Sequence, residues 1–116
     1  MKKIKPILPS LREKKRYLAF EVISERKIQD FPQISKAIHN SSLRLLGDLE
    51  GAKAGIMILG EKYKDQKGII RVNNKYLDKL KASFLFVEEI DGVPCILRSL
   101  GVSGMLTTAT KTYIGG

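Results

Sequence analysis

Seven β-forming residues, Tyr17-Leu18-Ala19-Phe20-Glu21-Val22-Ile23, open the ordered pattern of the chain and predict a first strand. A period of two sets Leu18, Phe20 and Val22 on one face and Tyr17, Glu21 and Ile23 on the other. The spacing then changes. Ile34, Ala37, Ile38, Leu45, Leu46 and Leu49 recur every three to four positions, which predicts a helix over 31–47 with Asp30 as N-cap, Pro32 in its first turn and Gly47 and Gly51 near its end. Ala54 to Leu59 and Gly68 to Val72 read as strands, joined by a short charged connection into an antiparallel hairpin. Asn73 or Asn74 caps a helix of roughly 74–89, in which Leu77, Leu80, Phe84 and Val87 fall on one side. Asp91-Gly92 signals a turn, and Val93 to Leu100 a fourth strand. Ser103 can cap a last helix with a stripe of Leu106, Ala109 or Thr110, and Tyr113.

The order βαββαβ, with right-handed crossovers, predicts an α+β fold of ferredoxin-like, RRM-like type. It is a four-stranded antiparallel sheet carrying two helices on one face, with a C-terminal helix added. Residues 17–116 form one domain, preceded by an arm over residues 1–16. The strands are apolar on both faces. Met57, Leu59, Ile69 and Ile96 fall on one side, and Ile56, Ile58, Ile70, Val72 and Leu97 on the other. Two helices cover one face, so the Met57–Ile96 face needs the terminal helix, a protein partner, or both. The third strand has no aromatic residue, which excludes the base-stacking platform of an RRM.

Charge changes the picture most. The 116 residues carry a formal charge of +9 and a pI near 9.8, an excess that suits a polyanion, nucleic acid before an anionic membrane surface. The bland reading is a lysine-rich soluble protein. The arm concentrates the excess: Lys2, Lys3, Lys5, Arg12, Lys14, Lys15 and Arg16 face only Glu13, and Pro6 and Pro9 disfavour helix. Arg12, Lys14, Lys15 and Arg16 are the chief candidates for phosphate contact. No stretch approaches the roughly 18 apolar residues of a membrane span, and the basic N-terminus lacks a signal-peptide apolar region. An intracellular, cytoplasmic protein without a membrane partner is expected. The single cysteine, Cys95, excludes an internal disulfide framework and a cysteine zinc knuckle.

Catalytic chemistry has little to build on. Gly101-Val102-Ser103-Gly104 resembles a GXXG phosphate clamp, but it is placed to join strand to helix. A structural turn, phosphate binding through Gly101, Ser103 and Gly104, and catalysis are its readings, in that order. Arg98, inside an apolar strand beside Ile96 and Leu100, either pairs with a carboxylate of the domain or meets RNA. Glu88, Glu89 and Asp91 read as a solvated or partner-facing edge, His39 as a surface residue, and Cys95 as a small buried hydrophobe. No cofactor or metal is expected in this chain.

Leu8-Pro9-Ser10-Leu11-Arg12-Glu13-Lys14-Lys15-Arg16-Tyr17 and Leu97-Arg98-Ser99-Leu100-Gly101-Val102-Ser103-Gly104 together resemble the archaeal-type ribonuclease P protein component 2 family, counterpart of a eukaryotic RNase P/MRP subunit. Gly68 to Asn73 followed by Lys75-Tyr76-Leu77 extends the likeness through the domain. The resemblance implies an RNA-binding subunit of the ribonucleoprotein endonuclease that removes the 5′ leader from precursor tRNA. It places catalytic groups and magnesium with the RNA. It also implies pairing with ribonuclease P protein component 3, as a dimer of heterodimers, among other RNase P proteins. One departure is local: family members often carry basic residues after Gly104, whereas Met105 to Tyr113 holds only Lys111. The alternatives are a ferredoxin-like small-molecule-binding domain using the glycine turn, a pure assembly domain and, weakest, a hydrolase.

Overall fold

In the computed structural model, which describes residues 14–115, β1 (Lys15–Ser24) is the middle strand of a five-stranded antiparallel sheet. It pairs with β3 (Lys67–Asn73) on one side and β5 (Val93–Ser103) on the other. The edges are β2 (Met57–Ile58), beside β3, and β4 (Glu89–Ile90), beside β5. Without β4 the order β2-β3-β1-β5 is that of the ferredoxin-like sandwich, as expected. The first strand begins at Lys15, two residues before Tyr17, because Lys15 and Arg16 pair with Asn73 and Val72.

The fifth strand departs from the expected helix of 74–89. That helix consists of a 3₁₀ turn at Asn74–Tyr76, α2 (Leu77–Ser83) and a second 3₁₀ turn at Phe84–Phe86, and Val87 is already extended. Val87 and Ile90 keep their apolar side chains buried, but in an extended hairpin. Asp91 and Gly92 both have positive φ, 52° and 77°, the two-residue turn that matches the twist of antiparallel strands.

The first helix, α1 (Phe31–Ala54), starts where expected. The Asp30 carbonyl accepts from the amides of Gln33 and Ile34, at 3.1 and 3.3 Å, although the Asp30 side chain makes no cap. Ile34 and Ile38 are fully buried, and the buried hydroxyls of Ser41 and Ser42 donate to carbonyls three residues back. Gly47, at φ 80° and ψ 174°, breaks the helix at its expected end, but a second helical segment continues to Ala54. Gly55 closes it in the left-handed conformation, φ 60°. This second segment and its cap take Ala54 and Gly55 from the expected second strand, and β2 is only Met57 and Ile58, with a further bond from the Leu59 amide to the Ile69 carbonyl at 2.9 Å. Asn73 caps the following turn, its side chain accepting from the Lys75 amide at 3.3 Å.

The main core lies between the sheet and α1 and α2, where Leu18, Phe20, Val22, Ile34, Ile38, Ile70, Val72, Leu80, Phe84 and Leu97 pack together. On the opposite face, Ala19 and Ile69 are also fully buried. They are covered by a short helix, α3 (Leu106–Ala109), and the π-helical turn Thr110–Ile114 that follows it. At the end of the sheet where β1 finishes, Asp65 and Gln66 form a two-residue turn with φ of 52° and 62°. The Gln66 side chain accepts from the Ile28 amide at 2.6 Å and donates to the Val22 carbonyl at 2.7 Å and the Ser24 hydroxyl at 3.2 Å. Beside it, the Tyr63 hydroxyl donates to the Ile28 carbonyl at 2.9 Å, and its ring packs on Phe20 and Phe31.

Burial, with the nearby Cys95 adding to it, pushes the Tyr63 hydroxyl up to about 12. Below pH about 10 the hydroxyl is neutral in folded and unfolded chains alike, so its contribution to stability is intact. Above that the unfolded chain ionises first, and stability falls until the folded hydroxyl titrates. Phenolate absorbance of the native protein should therefore show one tyrosine ionising late, and Tyr63→Phe should remove that component; the same titration curve for both proteins would contradict it.

Candidate nucleic-acid interface

The start of β1 lies between the end of β3 and the end of β5. The Lys14 carbonyl accepts from the Asn74 amide at 2.7 Å, Lys15 stands opposite Asn73, and Tyr17 stands between Arg71 and Ser103. Lys14 and Lys15 are exposed and Arg16 is half-buried. The Arg16 guanidinium donates to the Lys15 carbonyl at 3.1 Å and extends beside Gly104, where an added Cβ would lie 3.8 Å from Nη1. The Lys15 ammonium reaches Gly55, where an added Cβ would lie 3.0 Å from Nζ. This is the C-terminal end of α1, where the helix dipole favours a cation. Three basic residues of the arm and the Ser103-Gly104 pair thus meet at one end of the sheet, although Arg16 and Ser103 stand near opposite ends of the sequence. Arg12, Lys2, Lys3 and Lys5 lie outside the described residues.

The glycine segment itself needs a correction. Gly101 pairs with Ala19, Val102 with Leu18 and Ser103 with Tyr17, so the expected turn is strand up to Ser103 and the chain bends only at Gly104. A bulge between the Ala19–Gly101 and Phe20–Ser99 pairs leaves Leu100 as an extra residue and reverses the strand parity beyond it. Gly101 is a glycine because of close approach. A Cβ there would overlap the Tyr113 hydroxyl oxygen and the ring carbon that bears it. Ser103 keeps part of its expected role, its hydroxyl accepting from the Met105 amide at 3.1 Å, but the N-cap position of α3 is Met105. Arg98 donates to Glu21 at 2.7 Å, the internal pairing of its two readings. Arg98 is mostly exposed, so such a pair contributes only about 0–1 kcal/mol. A ligand site at a glycine turn, the small-molecule alternative, has no turn at Gly101–Ser103 to use.

The four residues assigned to the second sheet face divide. Ile69 is closed off within the chain itself, under the terminal turn. Leu59 is half-buried. Met57 at one edge remains 46% exposed, and Ile96 at the other end of the face 63%. Ile96 pairs across the ladder with Ile23, itself 43% exposed, forming an uncovered apolar pair next to the Glu21–Arg98 bridge. The remaining candidates occupy ordinary places. His39 is exposed on α1, Glu88, Glu89 and Asp91 are exposed around the β4 hairpin, and Cys95 is buried, which pushes its thiol up. Sequence reasoning passed over Arg71, which the β1–β3 register brings alongside the arm, and Lys75, which follows the Asn74–Lys14 hydrogen bond. Their signal was weak, a lone arginine in an apolar strand and a lysine after a capping asparagine.

A family model described as the Rpp14/Pop5 family matches residues 16–114, spanning both β1 and the terminal turn. The chain belongs to the Rpp14/Pop5 family. Among Rpp14/Pop5 relatives, a protein of Thermococcus gammatolerans named ribonuclease P protein component 2 is 39% identical over 112 residues, covering 97% of this chain and 92% of its own length. A protein of the same name from Methanosarcina mazei is 39% identical over 111 residues, covering 96% of this chain and 93% of its own. A chain in the cryo-EM structure of yeast ribonuclease MRP superimposes with a TM-score of 0.63 at 20% identity, over 82% of this chain and 77% of that one. That likeness is one of fold.

The Gly101–Tyr113 fit yields a direct test. Gly101→Ala should destabilise the protein by about 1–3 kcal/mol through overpacking, and Tyr113→Ala should absorb most of that cost in the double variant. Strictly additive losses in denaturant unfolding would mean that the tyrosine is not what excludes a side chain at this position.

Proposed function

We propose that this chain is a protein subunit of ribonuclease P, binding its RNA and supporting removal of the 5′ leader from precursor tRNA. The observation that carries the reading is the placing of Lys14, Lys15 and Arg16 at the end of the sheet where β3 and β5 finish, with Arg16 beside Gly104, on a chain with formal charge +9. Cations on a rigid strand end displace counterions from a phosphate backbone without reading its sequence, and so position the RNA. The family resemblance assigns the chemistry to the RNA and the magnesium bound with it, and leaves this chain a supporting role.

The apolar pair Ile23 and Ile96 supports a second contact, with a protein subunit. The family resemblance names ribonuclease P protein component 3 as that partner, in a dimer of heterodimers. An exposed isoleucine pair beside an ion pair has the make-up of an interface centre with a polar rim.

Reconstituted pre-tRNA cleavage, with the RNA and partner proteins present, should fall when this chain is omitted; cleavage by the chain without RNA would overturn the assignment. Replacing Lys14, Lys15 and Arg16 together by Ala should flatten the salt dependence of RNA binding by about 0.7–0.9 log unit for each phosphate no longer neutralised. An unchanged slope would remove these residues from the interface. Ile96→Glu should abolish co-purification with component 3 while thermal unfolding of the isolated chain stays close to wild type, and undiminished capture would place the partner elsewhere.

A further inference from the structure

The cationic surface does not stop at the arm. β3 ends beside the start of β1, and the antiparallel register sets Arg71 opposite Tyr17 and Asn73 opposite Lys15. Lys15 and Arg71 are therefore diagonal neighbours, about 7–8 Å apart along the ladder. Lys75 follows directly. The Asn74 amide donates to the Lys14 carbonyl at 2.7 Å, and the Lys75 amide is held by the Asn73 side chain at 3.3 Å, with the Lys75 side chain exposed. Both new cations sit on backbone that is tied down.

None of Lys14, Lys15, Arg16, Arg71 and Lys75 has a carboxylate partner among the described residues. The two ion pairs there are Lys53 with Glu50 and Arg98 with Glu21. Glu50 is also engaged by the Tyr76 hydroxyl at 2.9 Å, and that hydrogen bond, with Lys53 beside it, holds its carboxyl below the usual range. Arg71 is the most telling of the five. Its Nε is buried with no acceptor among the described residues, while the residue as a whole remains partly exposed. A buried donor left unmade costs about 1–3 kcal/mol, so internal hydrogen bonding of Nε does not account for an arginine here. No carboxylate among the described residues compensates its charge.

We propose that Arg71 and Lys75 continue the phosphate-binding surface across the end of the sheet, making with Lys14, Lys15 and Arg16 one track for an RNA sugar–phosphate backbone. This rests on the RNA-binding reading above and extends it from the arm to the folded body. The contact is electrostatic and sequence-independent, since the residues present charge and donors without an aromatic platform.

The test measures binding of ribonuclease P RNA by the full chain as a function of salt, for Lys75→Ala, Arg71→Gln and Lys75→Arg. Lys36→Ala on α1 and Lys62→Ala in the β2–β3 connection serve as distant controls. Lys75→Ala and Arg71→Gln should each lower the log–log salt slope by about 0.7–0.9, whereas Lys75→Arg and both controls keep it. If the slope stays at the wild-type value in Lys75→Ala while the Lys14, Lys15 and Arg16 variant loses slope, the track is overturned and the RNA-binding reading stands. If the wild-type chain shows no salt-dependent affinity, the reading itself fails. Should Arg71→Gln not fold, the exposed Lys75 decides alone.

Discussion

Everything in this molecule depends on β1 being paired along both sides and, at its centre, covered on both faces. Leu18, Ala19 and Phe20 are completely buried, with neighbours on β3 and β5. Over these three residues the strand has no open edge and no bare face, whereas Ile23 further along stays exposed. Its helix-side residues bind α1 and α2 to the sheet, while Ala19 is small enough for the terminal turn to lie close above it. Because β1 is antiparallel to both neighbours, its start must coincide with the ends of β3 and β5. Three distant pieces of sequence are thereby carried to one place, and most of the functional geometry follows from that coincidence.

The opposite end of β1 is closed by different chemistry. Gln66 adopts a backbone conformation uncommon for a residue with a side chain, φ 62°, and its amide group bridges Val22, Ser24 and Ile28. Three hydrogen bonds offset the conformational cost and fix how the chain leaves the sheet towards α1. One end of the strand is thus secured by the Gln66 side chain, whereas the other is held by backbone pairing with β3 and β5.

Strand parity and helix spacing were legible because burial imposes periods of two and 3.6 on the sequence, and the sides assigned to Ile58, Ile70, Val72 and Leu97 follow from that alone. The failures share a cause. At Gly101 the sequence shows a glycine, and glycine serves positive φ and close approach equally well; only the position of Tyr113 tells which. At Val87–Ile90, short apolar spacing suits a helix end or an edge strand, and the left-handed Asp91-Gly92 turn selects the strand. Gly47 ended one helix without preventing the next, since a kink needs only one non-helical residue. Among the candidate site residues, the arm cations announced themselves as a run. Arg71 and Lys75 did not, because their meaning lies in a register that no local pattern encodes.

The seat of Tyr113 over Gly101 also holds the terminal turn against the sheet. The last described turn is the cover for Ala19 and Ile69, and its own buried anchor is Ala109. A chain shortened before Ala109 would lose that cover and bare a strip of small and branched apolar residues on the sheet face that already exposes Ile23 and Ile96. Separate surface hydrophobes are harmless, but a contiguous patch is adhesive. Leu106–Ile114 thus works as a lid on apolar surface, and its loss would be felt on the face of the sheet turned away from α1 and α2.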